Sequence, residues 1–178
     1  MTDPGTLAGA DRISVWSRAA RERLVDTARS YHAVVTYGEL ADHVQATTDV
    51  RTNQLIQHWI GDVLLRITRD CHHRDEPMLS ALCVTQGGAV GGGYVGAVET
   101  VYGHVPEQPD DHAAEQRLLC HRYFGAELPP DGGRPAVTRQ VQAQRDKQRA
   151  TRQQVRRGVP CPSCGIEMPL SGHCSSCS

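Results

Sequence analysis

Apolar side chains recur at steps of three and four between Asp11 and His32, at Ile13, Trp16, Ala20, Leu24, Ala28 and Tyr31. That spacing predicts an amphipathic helix that leaves Arg12, Arg18, Arg21, Glu22 and Arg29 mostly in solvent. After the short apolar bridge Val34-Val35, Thr36 and Glu39 form a T-x-x-E capping box, the signature of a helix start. Leu40, Ala41 and Val44 give this second helix its buried side. Gln45 to Arg51 reads as a turn. Leu55, Ile56, Trp59, Ile60, Val63, Leu64 and Ile67 then make a wide apolar face, so a third helix is expected with Thr52 or Asn53 as its cap. Pro77 forbids its continuation.

From Met78 the pattern changes. Leu82 and Val84 alternate with Ala81 and Cys83, as in a strand, and Gln86-Gly87-Gly88 reads as a turn. Tyr94 to Val101 is read as the returning strand. Gly91-Gly92-Gly93 is either a bulge or a place where backbone approaches a ligand closely. Helix, helix and hairpin in this order predict an α+β fold, a winged helix-turn-helix domain over residues 11–125 whose second helix can enter a DNA major groove. Asp110 or Asp111 starts a further helix reaching Phe124, with Ala114, Leu118 and Leu119 facing inward. Residues 1–10 read as a disordered tail. Residues 126–157 read as a linker and a basic Arg/Gln-rich spacer helix, and residues 158–178 as a separate metal-binding module.

The 178 residues leave room for one core plus an appendage. With one Phe, two Trp and five Tyr, that core has to be built largely from Val, Leu, Ile and Ala. No basic-then-apolar leader opens the sequence, and no apolar run approaches the roughly 20 residues of a membrane helix. The expectation is a cytoplasmic protein without a membrane partner.

Charge sharpens the picture. Residues 1–133 carry 11 Lys+Arg against 18 Asp+Glu, whereas residues 134–157 carry 8 against 1. Phosphate contact is therefore expected from the spacer, through Arg139, Arg145, Lys147, Arg149, Arg152, Arg156 and Arg157. On the third helix and its approach, Arg51, Asn53, Gln54, Gln57, His58 and Arg66 are the polar groups available to DNA, or else an ordinary solvated face. The acidity of the rest favours a competing role as a protein-interaction module.

Four of the seven Cys fall in the last 18 residues, as Cys161-Pro162-Ser163-Cys164 and Cys174-Ser175-Ser176-Cys177. Two C-x2-C turns can place four thiolates around one ion, here Zn²⁺ in a structural role resembling a zinc ribbon-like knuckle. Metal would supply the folding energy of so short a segment. His173 is an available but unnecessary ligand. Cys71-His72-His73, with Asp70 and Asp75, reads as a nucleophile and base, a metal cluster, or a solvated helix end.

Residues 35–94 resemble the DNA-binding domain of O6-alkylguanine-DNA alkyltransferases and their non-catalytic alkyltransferase-like relatives. Tyr37-Gly38-Glu39-Leu40-Ala41 is similar to the start of that family's first motif helix. His58-Trp59-Ile60-Gly61 resembles its Arg-Ala-Val-Gly, Leu79 to Cys83 its Pro-Cys-His-Arg-Val, and Gly88-Ala89-Val90-Gly91 its Gly-rich hairpin. Under this alignment the reactive Cys becomes Ser80, the following His becomes Ala81, and the Arg that fills the hole of a flipped base becomes His58. The resemblance thus implies a DNA-binding fold without alkyl transfer, with Tyr37 in the position of a phosphate-contacting Tyr. A remote alternative is an enzyme that uses Cys71.

Overall fold

The computed structural model describes residues 9–156, 160–166, 168, 174, 176 and 177. They form two compact units, residues 1–141 and 142–178. The expected disordered tail lies outside the described residues up to position 8, and positions 9 and 10 open a helix. No helix among the described residues is long and apolar enough to cross a membrane.

Unit 1 is mostly helical with a two-stranded sheet. Helix α1 (Gly9–Ala28) buries Trp16, Ala20, Leu24 and Ala28 of the predicted face, with Ile13 half-buried, but it ends short of the expected His32, and Tyr31 is half-buried in the turn that follows. Strand β1 (Val35–Thr36) leads into α2 (Tyr37–Thr48), whose start carries the full capping box between Thr36 and Glu39. Asp49 ends α2 in a left-handed conformation at φ 56°. Strand β2 (Cys83–Val84) runs parallel to β1, pairing Val35 with Cys83 and Thr36 with Val84. Trp16, Leu24, Leu40, Val63, Ile67 and Leu82 lie in one buried cluster. Trp16 also stacks on Trp59 at 4.4 Å between ring centroids.

Three expectations are corrected. The third helix, α3, spans Ile60–His73 and so begins well after Asn53. The hydroxyl of Thr52 accepts from Gln54 N at 3.2 Å and the side chain of Gln45 accepts from Thr52 N at 3.0 Å, which fixes a turn instead. Leu55 is extended, and Ile56–His58 forms a single 3-10 turn. Leu55 and Ile56, read as part of the buried face, are 61% and 37% exposed.

Second, residues 79–84 do not alternate between two faces. All six are buried, Leu79–Leu82 coil as a 3-10 turn, and only Cys83–Val84 is strand. Tyr94 to Val101 is not a strand but most of helix α4 (Gly92–Tyr102). Tyr94, Ala97 and Val98 are buried and Val101 half-buried, the i, i+3, i+4, i+7 spacing of one helical face. In place of a stranded wing there is a tight loop, in which Thr85 N donates to Ala89 O at 2.8 Å and Gly88 N to Thr85 O at 2.9 Å.

Third, Leu119 on α5 (Pro109–Tyr123) is 45% exposed, while Ala114 and Leu118 face inward. A second buried cluster joins Met78 and Ala81 to Tyr94, Val98 and Ala113 of α4 and α5. Residues 126–138, linker by composition, belong to unit 1 and are hydrogen-bonded to the rest of it. Arg122 donates to the carbonyls of Gly132 and Gly133, and Thr138 donates to that of Gly88. Helix α6 (Arg139–Arg156) follows.

Candidate metal centre and nucleic-acid interface

The thiols of Cys161, Cys164, Cys174 and Cys177 all lie within 4.8 Å of one another. Cys161 and Cys177 sulfurs are 3.9 Å apart, and those of Cys164 and Cys174 3.6 Å. The first C-x2-C turn closes through Gly165 N donating to Cys161 O at 2.8 Å, with Gly165 at φ +72°, a conformation glycine adopts without strain. Cys161 N donates in turn to Ile166 O at 2.8 Å. The backbone N–H groups of Ser163 and Cys164 stabilise a thiolate at Cys161 and lower its pKa to about 6. The neighbouring thiols raise that of Cys177 to about 11, as expected when several sulfurs crowd together without a countercharge. These four residues could hold a metal ion. His173 lies outside the described residues.

The polar residues expected to face DNA divide into three groups. Gln54, His58 and Arg66 come together along a cleft of about 490 Å³ that also includes Arg12, Arg69 and Asp62. Trp59 forms part of its wall. Its indole Nε1 is the only buried side-chain N or O without a hydrogen-bond partner among the described residues. Gln57 lines a second, more apolar cleft of about 410 Å³ with Tyr37, Ile60, Gly61 and Gly91 to Gly93. Arg51 and Asn53 are exposed in the loop between α2 and the 3-10 turn and line neither cleft.

Tyr37 opens α2 half-buried, and its hydroxyl accepts from Gly91 N at 3.0 Å. Burial raises its pKa, so it stays a neutral phenol. A Cβ at Gly91 would come within 2.7 Å of that hydroxyl, which explains the glycine there. The glycine run is therefore the entry to α4, pressed against Tyr37.

On α6, Arg145, Arg149 and Arg152 recur at i, i+4 and i+7, one face of a helix, and position 156 continues the series. Arg139 and Lys147 fall on other faces, and Arg157 lies outside the described residues. Arg139, Lys147, Arg149 and Arg152 are exposed.

Ser80 is 2% exposed and shares a 2.7 Å hydrogen bond with Thr68. Cys71 is fully buried, and burial pushes its thiol pKa up. His72 and His73 are exposed at the end of α3, with the His72 ring 5.0 Å from that of Tyr102. The Cys71-His72-His73 group therefore splits between core and solvent.

No family model, curated protein or solved structure matches the chain.

Sequence reasoning missed Arg12 and Arg69 as members of the α3 cleft. Arg69 had a signal, since it stands three residues after Arg66 on the same helix. Arg12 had none, because only tertiary packing of α1 against α3 brings it there.

Proposed function

We propose that the protein binds duplex DNA without catalysing a reaction. In this reading unit 1 is a helix-turn-helix domain of the alkyltransferase-like kind, with the Thr85–Ala89 loop in the place of a stranded wing. The loop 51–58 and the first turns of α3 face the groove, and α6 supplies phosphate contacts. The observation that carries the reading is the cleft at the start of α3. Unit 1 is acidic, with 13 Lys+Arg against 18 Asp+Glu, yet Arg12, Arg66 and Arg69 gather there beside His58 against the single carboxylate of Asp62. Such a local reversal of charge suits a polyanion. Ser80, buried and followed by Ala81, has neither a thiol nor an adjacent base, and Cys71 is sequestered and protonated. Both support a non-enzymatic role.

The Cys161, Cys164, Cys174, Cys177 cluster takes one Zn²⁺ in this reading. A tetrahedron with metal–sulfur bonds of about 2.3 Å has edges of about 3.8 Å, close to the two sulfur separations quoted above. Four thiolates leave no open position, so the ion holds the fold of its segment together and performs no chemistry.

A protein-partner reading draws on a different observation: Leu55 and Ile56 present exposed apolar surface on the same loop. Binding of the full chain and of residues 1–141 to duplex DNA at two salt concentrations separates the two. A DNA binder weakens steeply with salt and loses affinity without α6. An absence of binding at low salt rejects the DNA reading in favour of a protein partner.

A further inference from the structure

Unit 1 contains another cleft, of about 600 Å³, which shares no lining residue with the two clefts at α3. Its key residue is Arg117 of α5, only 4% exposed. The guanidinium donates to the carbonyls of Ala81 at 3.1 Å and Ala136 at 3.4 Å. Both partners are neutral. Among the described residues no carboxylate lies within ion-pair distance of Arg117, and no Asp or Glu lines the cleft. Asp110 acts on it only from beyond ion-pair distance, so the buried cation is incompletely compensated, and its remaining N–H donors are suited to an anion. Burial accordingly pulls the Arg117 pKa down.

The surroundings add positive potential. Arg134 and Arg139 line the same cleft, and Arg134 has only a loose, exposed 3.5 Å pair with Asp131. Thr138 to Gln140 also line it. Arg139 and Gln140 open α6, and Thr138 caps the helix by accepting from Val141 N at 3.4 Å. Backbone N–H groups at a helix start favour an anion. The wall is held in place: Arg134 N donates to the hydroxyl of Tyr31 at 3.0 Å, and Thr138 is tied to Gly88 O at 2.9 Å. Val34, Leu118 and Val137 supply apolar surface, and the volume lies within the range of about 300–1,000 Å³ typical of small-molecule sites.

We propose that this cleft binds a phosphate-bearing ligand of sugar-phosphate or mononucleotide size, its phosphate held by Arg117, Arg134, Arg139 and the first turn of α6. Three guanidiniums and a helix N-terminus match a phosphate dianion better than a single carboxylate. The proposal does not depend on DNA reading by α3.

The test is calorimetric titration of the full chain with inorganic phosphate, a pentose phosphate, a nucleoside monophosphate and the matching nucleoside. The phosphate-bearing probes are expected to bind and the nucleoside is not. Arg134→Ala with Arg139→Ala, both at exposed positions, is expected to weaken binding about tenfold or more while leaving circular dichroism and Tm unchanged. Arg117→Lys keeps a charge but loses the fork, and is expected to weaken binding as well. A short DNA duplex that displaces the monophosphate would identify the phosphate as one from a nucleic-acid backbone. A duplex that binds without displacing it would leave the cleft to a free phosphate ester; either result supports the site. No heat from any phosphate probe at millimolar concentration, equal binding of the nucleoside, or unchanged affinity in the double variant would overturn it.

Discussion

Trp16 and Trp59 stack on each other in the core, but their indole nitrogens have different surroundings. Trp16 Nε1 donates to Val50 O at 2.9 Å, tying α1 to the segment after α2. Trp59 Nε1 is buried without a partner. Replacing each by Phe removes a similar volume, so the difference between the two variants reports the hydrogen bond lost at Trp16 together with the unsatisfied donor removed at Trp59. Trp16→Phe is expected to be the more destabilising by about 1–2 kcal/mol in denaturant unfolding, because Val50 O loses its donor. Equal effects would mean that neither the Trp16 bond nor the orphan donor of Trp59 affects stability. Trp59 itself forms part of the wall of the cleft that gathers Arg12, His58, Arg66 and Arg69.

At the scale of elements, local signals held where the local chemistry was decisive. The capping box at α2 is one case: Thr36 N and Thr36 Oγ1 both donate to the Glu39 carboxylate at 2.8 Å, and Glu39 N donates back to Thr36 at 3.2 Å. Thr36→Ala is expected to cost about 1 kcal/mol, read by chemical denaturation. The bonds from Thr36 lower the Glu39 pKa below its ordinary 4.5. Its contribution is therefore complete above that pH and is lost as pH falls through the lower folded-state value. Glu39 is exposed, so solvent keeps this acid dependence small. Thr36→Ala should reduce it without abolishing it, because the backbone N–H at position 36 still donates to Glu39.

Other elements were illegible for identifiable reasons. The stretch from Tyr94 to Val101 carries three Val, which suggested a strand, yet its buried positions follow the helical period. Leu55 and Ile56 extended the apolar pattern of α3 backwards, although the Thr52 and Gln45 side chains had already committed that backbone to a turn. The Cys cluster was legible in full, since its spacing alone brings the four sulfurs together. The Arg117 cleft was not, because its lining comes from three separated segments. Metal removal addresses the cluster directly. A strong chelator is expected to unfold the 160–177 knuckle and expose its four thiols to alkylation, while the unfolding transition of unit 1 stays in place. Thiols that react at the same rate with and without added Zn²⁺ would exclude the ion.

For the whole molecule, charge is the organising quantity. An acidic helical unit, relieved at the start of α3, is joined in sequence to an arginine-bearing helix that is long relative to its apolar content. The acidic unit alone has no net attraction for a polyanion, so in the proposed reading affinity for DNA comes mostly from α6. The most direct measurement is the salt dependence of duplex binding, by fluorescence anisotropy, for the full chain and for a variant with Arg145, Arg149, Arg152 and Arg156 all replaced by Gln. Each lost phosphate contact should reduce the slope of log K against log salt by about 0.9, so the variant should be shallower by about 3–4 and weaker at low salt. Identical slopes for the two proteins, or no binding by the full chain at low salt, would contradict the account.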